Sequence, residues 1–142
     1  MCQYVDMVCI YCGQETGVSN SREQKRLNQV WRRRKCQGCG AIFTTVEAAA
    51  REQAFVVKSG AKHSQPFSRD KLFISIYESV KHRPTALSDA GALTDTVIGK
   101  LLRTNVEGVV QCADIVDLTN AILKRFDRAA SVHYTAYHLT DH

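Results

Sequence analysis

Cys9-Ile10-Tyr11-Cys12-Gly13 and Cys36-Gln37-Gly38-Cys39-Gly40 repeat one pattern, Cys-x-x-Cys-Gly, with 23 residues between the pairs. Two thiolates at this spacing reach a single ion from one tight turn. The residue after the second cysteine is crowded unless it takes positive φ, which glycine does at little cost. Backbone N–H groups in such a turn can point at the ligating sulfurs and stabilise their charge. Two turns supply Cys9, Cys12, Cys36 and Cys39, the donor set of a closed tetrahedral structural site for one Zn2+ per chain. Iron in the same four-thiolate cage is chemically possible, because the ligand type does not exclude it. A thioredoxin-type redox motif would carry one Cys-x-x-Cys in a βαβ setting; here there are two pairs and no such setting. The residues between the pairs suffice for a β-hairpin-like excursion. A module of ~40 residues builds little apolar core, so a metal would provide much of its stability.

The rest of the chain bounds this reading. Its 142 residues allow one domain or two small ones, and 44% hydrophobic residues supply material for a core. A formal net charge of +5 is compatible with a polyanionic partner and equally with a solvated surface. No apolar run approaches the ~20 residues that span a bilayer, and no secretory signal pattern opens the chain. The expectation is a cytoplasmic protein with no membrane partner, where paired Cys-x-x-Cys means metal before disulfide. Cys2 and Cys112 fall outside the pattern. Met1–Asp6 reads as dispensable, with Met7 an alternative start just before the first pair.

Texture changes near residues 48–54. Residues 7–47 hold the paired cysteines and little helical periodicity. Beyond them, Ala54–Lys58 and about Lys62–Phe67 resemble two short strands joined by Ser59-Gly60-Ala61. From Ser68, a fair N-cap, Leu72, Ile76 and Val80 form a stripe that Pro84 should end. Ser88 opens a second helical pattern with Leu93, Val97 and Leu101. A third runs from about Ala113 with Ile115, Thr119, Ile122 and Phe126 inward, and a fourth spans about Ala130–Leu139. The fold class expected is α+β: a small β module, then a mostly helical domain with a β cap.

Between Ser21 and Lys35, seven cations (Arg22, Lys25, Arg26, Arg32, Arg33, Arg34, Lys35) stand against Glu23 alone, a balance of +6. Four consecutive cations running into Cys36 cannot all be buried. Part of this charge offsets a four-thiolate zinc site, itself −2. The remainder forms a patch suited to phosphates, and an arginine can also fork onto guanine edges. Trp31, the single tryptophan, reads equally as hairpin packing or as a base contact.

These residues carry a resemblance. Trp31-Arg-Arg-Arg-Lys-Cys36-x-x-Cys39, continuing Ile42-Phe43-Thr44-Thr45-Val46-Glu47, looks like the end of the zinc ribbon in NrdR proteins, bacterial repressors of ribonucleotide reductase genes. Val56-Val57-Lys58, then Gln65-Pro66-Phe67-Ser68-Arg69-Asp70-Lys71-Leu72, resembles the opening of the ATP-cone, that family's nucleotide-binding regulatory domain. The resemblance covers about Met7 to Leu139. It implies a DNA-binding zinc ribbon over 7–47 and an ATP-cone over 54–139, a homo-oligomer, double-stranded promoter DNA as partner, and ATP or dATP as allosteric ligands. It further implies that Arg22, Lys25, Arg26, Trp31, Arg32, Arg33, Arg34 and Lys35 serve DNA. Val57, Lys58, Gln65, Ser68, Lys71, Leu72, Cys112, Val116 and Tyr137 would serve the nucleotide, with Lys58 and Lys71 converging on phosphates. As bare residues, those two lysines read as ordinary surface cations.

The chain departs from the family's pattern in places. Ile42 stands where an arginine is common, and Lys58-Ser59-Gly60 lacks the Arg and Asp of the usual cone turn. Gln65 replaces a glutamate, and Val132–Tyr137 matches the family's end only loosely. No residue set suggests an enzyme, since four thiolates leave zinc no open position and no Walker-type loop is present. The alternative reading is a stand-alone ATP-cone accessory that binds ribonucleotide reductase directly through its ribbon.

Overall fold

β-branched and aromatic residues dominate Ile42–Ala48 and the start of Gln29–Cys36, and both segments are strands. The structure is a computed structural model and describes residues 6–138, apart from the side chain of Glu52. Expectations on Met1–Val5, Cys2 and Leu139 lie outside the described residues. The chain divides into two units, the first ending at Ala49 and the second beginning at Ala50.

In the first unit, β1 (Thr16–Gln24), β2 (Gln29–Cys36) and β3 (Ile42–Ala48) form an antiparallel sheet with β2 central. Trp31 faces Arg22 on one side and Val46 on the other; Arg33 faces Asn20 and Thr44. A register shift at Val18/Asn20 leaves Ser19 as the extra residue, and its hydroxyl donates to the Arg33 carbonyl at 3.1 Å. The buried apolar core is Cys9, Cys36 and Phe43, with Ala41 packed against it. So small a core leaves the cysteine cluster as the centre of the unit.

In the second unit, β4 (Val56–Ser59) pairs antiparallel with β5 (His63–Pro66) and parallel with β6 (Val109–Gln111). Four helices pack beside this sheet: α1 (Arg69–Val80), α2 (Ala86–Thr104), α3 (Cys112–Phe126) and α4 (Arg128–Tyr137). Ser68 caps α1 as its sequence suggests, accepting from the Lys71 N–H at 3.3 Å. The second helix starts earlier than Ser88, because Thr85 and Asp89 bracket its first turn through a 2.7 Å hydrogen bond. Ser88 instead donates back to the Thr85 carbonyl at 3.0 Å. Similarly, Asp127 caps α4, accepting from the N–H groups of Ala129 and Ala130 at 2.9 and 3.2 Å. Ile76, Val80, Val97, Leu101, Val110 and Leu123 are almost wholly buried. Phe126, expected inward, is exposed and instead carries the Arg83 guanidinium 4.6 Å above its ring. Among the described residues, no helix is long and apolar enough to cross a membrane.

Candidate metal centre and nucleic-acid interface

The two cysteine turns are built alike. Cys9 N–H donates to the Gln14 carbonyl at 2.8 Å and Cys36 N–H to the Ala41 carbonyl at 2.9 Å, so each turn closes over six residues. Gly13 and Gly40, the residues that follow the second cysteine of each pair, sit at φ +73° and +72°. A side chain at either position would be strained in the left-handed region. The four sulfurs lie within 4.8 Å of one another, with Cys9 to Cys39 at 3.7 Å and Cys12 to Cys36 at 3.4 Å. A tetrahedron of Zn–S bonds near 2.3 Å has edges of about 3.8 Å, so the donor set fits zinc.

Electrostatics point the same way. The Cys39 N–H, aided by the neighbouring Cys12 thiol and the Gly38 N–H, outweighs burial and brings the Cys36 thiol down to about 6. Cys39 goes the other way, to about 11: the Ala41 N–H favours its thiolate, but contact with Cys12, burial and the other two sulfurs outweigh that help. Four sulfurs this close cannot all ionise by themselves. A divalent cation removes the conflict.

Strand alternation sorts the basic run. Trp31, Arg33 and Lys35 point to the exposed face of the sheet, where Arg22 and Asn20 from β1 and Ile42, Thr44 and Val46 from β3 join them. Asn20, Arg22, Trp31, Arg33 and Thr44 together line a shallow cavity of about 170 Å³. Trp31 is 43% exposed, so packing does not consume it. Lys25 and Arg26 lie in the turn between β1 and β2, both exposed.

Arg32 and Arg34 take the opposite face. Arg32 is ion-paired with Glu47. Arg34 is buried, its guanidinium donating to Asp6 at 3.0 Å, Thr16 at 3.2 Å and Thr45 at 3.3 Å. Arg34 thus cross-links β1, β3 and Asp6 and lies apart from the exposed cations. Asp6, read from the sequence as dispensable, is one of the acceptors of that guanidinium.

The residues expected at a nucleotide divide between the second core and its surface. Val57 and Leu72 are buried in the second core, and Val116 packs against it. Lys71 Nζ donates to Gln65 Oε1 at 3.2 Å, and Gln65 pairs across the hairpin with Val57. Lys58, one residue on, alternates to the other face, level with Ser64 and Gln111. Strand alternation thus turns Lys58 away from the face on which Gln65 meets Lys71. Lys71 instead lines a groove of about 400 Å³ between α1 and α4, with Ser75, His133, Tyr137 and His138 among its walls. His138 Nε2 lies 2.6 Å from the Ser75 hydroxyl, and its pKa falls below the usual imidazole value through burial. His133 and His138 had drawn no functional reading from the sequence, since neither sits in a ligand-like spacing.

The model describing the N-terminal domain of transcriptional repressor NrdR-like proteins matches residues 7–47. The transcriptional repressor NrdR of Sphingopyxis alaskensis is 34% identical over 133 residues, covering 92% of this chain and 83% of that protein. NrdR of Hyphomonas neptunium is 34% identical over 131 residues, covering 92% and 81%. NrdR of Symbiobacterium thermophilum is 32% identical over 130 residues, covering 92% and 85%. These relatives are repressors, not enzymes. With the four-sulfur cluster inside the matched segment and relatives of this identity along nearly the whole chain, the protein belongs to the NrdR family of transcriptional repressors.

Proposed function

We propose that this chain is a nucleotide-responsive repressor of ribonucleotide reductase promoters. In this reading residues 7–47 are a zinc ribbon that binds double-stranded DNA, and residues 54–139 are an ATP-cone-like regulatory domain. The observation that carries it is the outer face of the ribbon, where Arg22, Trp31, Arg33 and Lys35 share one exposed surface. The cations contact phosphates, with Arg22 and Arg33 able to fork onto base edges beside the Trp31 ring. Lys25 and Arg26 extend the positive surface at the turn. Zinc held by Cys9, Cys12, Cys36 and Cys39 supplies a rigid cross-link with no open coordination position.

The ligand of the second unit is ATP or dATP, with Lys71 facing phosphate and Tyr137 a ring on which a base can stack. Gln65 is neutral, so Lys71 keeps its full charge for the ligand. Lys58 borders the opposite side of the sheet and acts at most on a distal phosphate. A nucleotide that binds one homo-oligomer better than another shifts the population, and promoter affinity follows.

The experiment is promoter binding as a function of salt. Replacing Arg33 and Lys35 with alanine removes two phosphate contacts and flattens the log–log salt slope by about 0.9 for each. Zinc content and nucleotide affinity stay unchanged. Wild-type salt slope and affinity in this double variant would place the DNA surface elsewhere. Equal promoter affinity and oligomer mass in ATP, dATP and neither would remove the nucleotide switch.

A further inference from the structure

A β-bulge decides what the outer face of the ribbon displays. Continued from Thr16 to Val18, the register of β1 against β2 would set Asn20 opposite Arg32, on the inner side of the sheet. The extra residue, Ser19, shifts the register by one, so Asn20 lies opposite Arg33 and shares the outer face with Arg22 and Trp31. The Ser19 hydroxyl fixes the bulge through its bond to the Arg33 carbonyl at 3.1 Å. Asn20, Arg33 and Thr44 thus form one row across the three strands, and Arg22, Trp31 and Val46 form the next. Asn20 is exposed and lines the shallow cavity beside the indole. Among the described residues, none hydrogen-bonds its amide, and none is a carboxylate partner for Arg22 or Arg33.

We infer that Asn20 is a base-reading residue of the ribbon, its amide forking onto the major-groove edge of an adenine; this rests on the outer-face reading proposed above. Donor and acceptor chemistry makes the choice. An arginine or lysine only donates, which suits guanine, whose major-groove edge presents the two acceptors O6 and N7. Adenine presents one acceptor, N7, and one donor, its N6 amino group, so a side chain that forks onto it must both donate and accept. Of the five residues that line the cavity, Asn20 alone carries a donor and an acceptor on two separate atoms. The Thr44 hydroxyl has one atom for both roles. A two-stranded ribbon fits the major groove, and β1 is an edge strand, so no further strand screens its outward side chains. Arg22, two residues along β1, and Arg33, directly across, flank the amide with positive charge that holds a duplex against it.

The test uses the full zinc-loaded chain, with metal content measured first, and a library of randomised duplexes selected in ATP, in dATP and without nucleotide. Expected is a wild-type consensus containing an adenine whose preference Asn20→Ala loses, at a cost of roughly 5- to 150-fold on the best wild-type duplex. The other consensus positions and the zinc content should hold, and so should the salt slope, because the amide carries no charge. Asn20→Asp, which only accepts, should move the same position to cytosine, whose N4 amino group donates. Replacing that adenine with 7-deazaadenine removes the N7 acceptor and should weaken wild type by roughly 2- to 10-fold while leaving Asn20→Ala unmoved. An Asn20→Ala protein that keeps the wild-type consensus, weakens on all duplexes equally or changes its salt slope overturns the inference. So does an equal penalty from 7-deazaadenine in both proteins, or a library that yields no consensus. The outer-face reading fails on a different result, an unchanged salt slope when Arg33 and Lys35 are both replaced, so the two failures are told apart.

Discussion

Removing the metal should unfold the first unit and leave the second folded. The first unit's buried apolar core contains one large side chain, Phe43, beside Cys9 and Cys36. Full burial of a phenylalanine is worth about 1.5–3 kcal/mol, while ordering each backbone residue costs about 1–2 kcal/mol. A three-stranded sheet cannot persist on that core. A structural zinc contributes about 10–16 kcal/mol in comparable modules, so the sheet stands or falls with the ion. The second unit draws on a separate core that includes Ile76, Val80, Val97, Leu101, Val110 and Leu123. The assay is a two-dimensional amide NMR spectrum with and without a strong chelator, and the same spectrum for Cys36→Ser. Resonances of β1 to β3 should collapse to random-coil shifts while those of α1 to α4 hold their positions. Dispersed β1–β3 resonances in chelated protein would refute the reasoning, since the sheet would then have support that its core does not reveal. Collapse of both units together would show that the second core depends on the first.

Three further outcomes follow from particular contacts. Arg34→Lys keeps the charge but not the fork that reaches Asp6, Thr16 and Thr45, so the zinc-loaded ribbon should lose about 1–3 kcal/mol in denaturant titration. The salt slope of DNA binding should not move, and a changed slope would return Arg34 to the interface. Leu123→Ala, at a fully buried site, should cost the second unit about 2–5 kcal/mol, read as an earlier thermal transition of the helical signal alone. For Asp127, hydrogen bonds from the Ala130 N–H first, then His82, Arg83 and the Ala129 N–H, hold the carboxyl down at about 2, against 3.8 ordinarily. A depressed folded-state value means this stabilisation is complete above the ordinary value and lost as pH falls from near 4 through 2. Asn caps a helix as well as Asp does, so Asp127→Asn should melt earlier than wild type at pH 7 and converge with it near pH 2. A gap that persists at pH 2 would mean that shape, not charge, is what the carboxylate contributes.

The cysteine turns were legible because their chemistry is local. Spacing, trailing glycine and positive φ all lie within five residues, and Gly13 and Gly40 take the conformation that the repeat demands. The helices were legible for the same reason, through the periodicity of Leu72, Ile76 and Val80 or of Ile115, Thr119 and Ile122. What sequence could not supply were facts set by pairing between distant segments. β6 is three residues long and exists as a strand because Val56 to Lys58 offers it a parallel partner more than fifty residues earlier. A segment that short has no period of its own to read.

The basic run shows where local reading stops. In a strand, successive side chains face opposite ways, so four adjacent cations cannot act as one patch. Which two face inward depends on what lies across the sheet. Thr16 and Thr45 give Arg34 its polar lining and Glu47 gives Arg32 its counter-ion, and none of these is a neighbour in sequence. The outward pair, Arg33 and Lys35, then gains Arg22 from β1, a residue that the linear run does not include. The DNA surface proposed here is therefore a product of register. A one-residue slip of β2 against its partners would exchange Arg33 for Arg34 on the outer face and bury a cation that has no acceptor prepared for it. The ribbon resists that slip because β2 ends on Cys36, and the sulfur cluster fixes where the strand must stop.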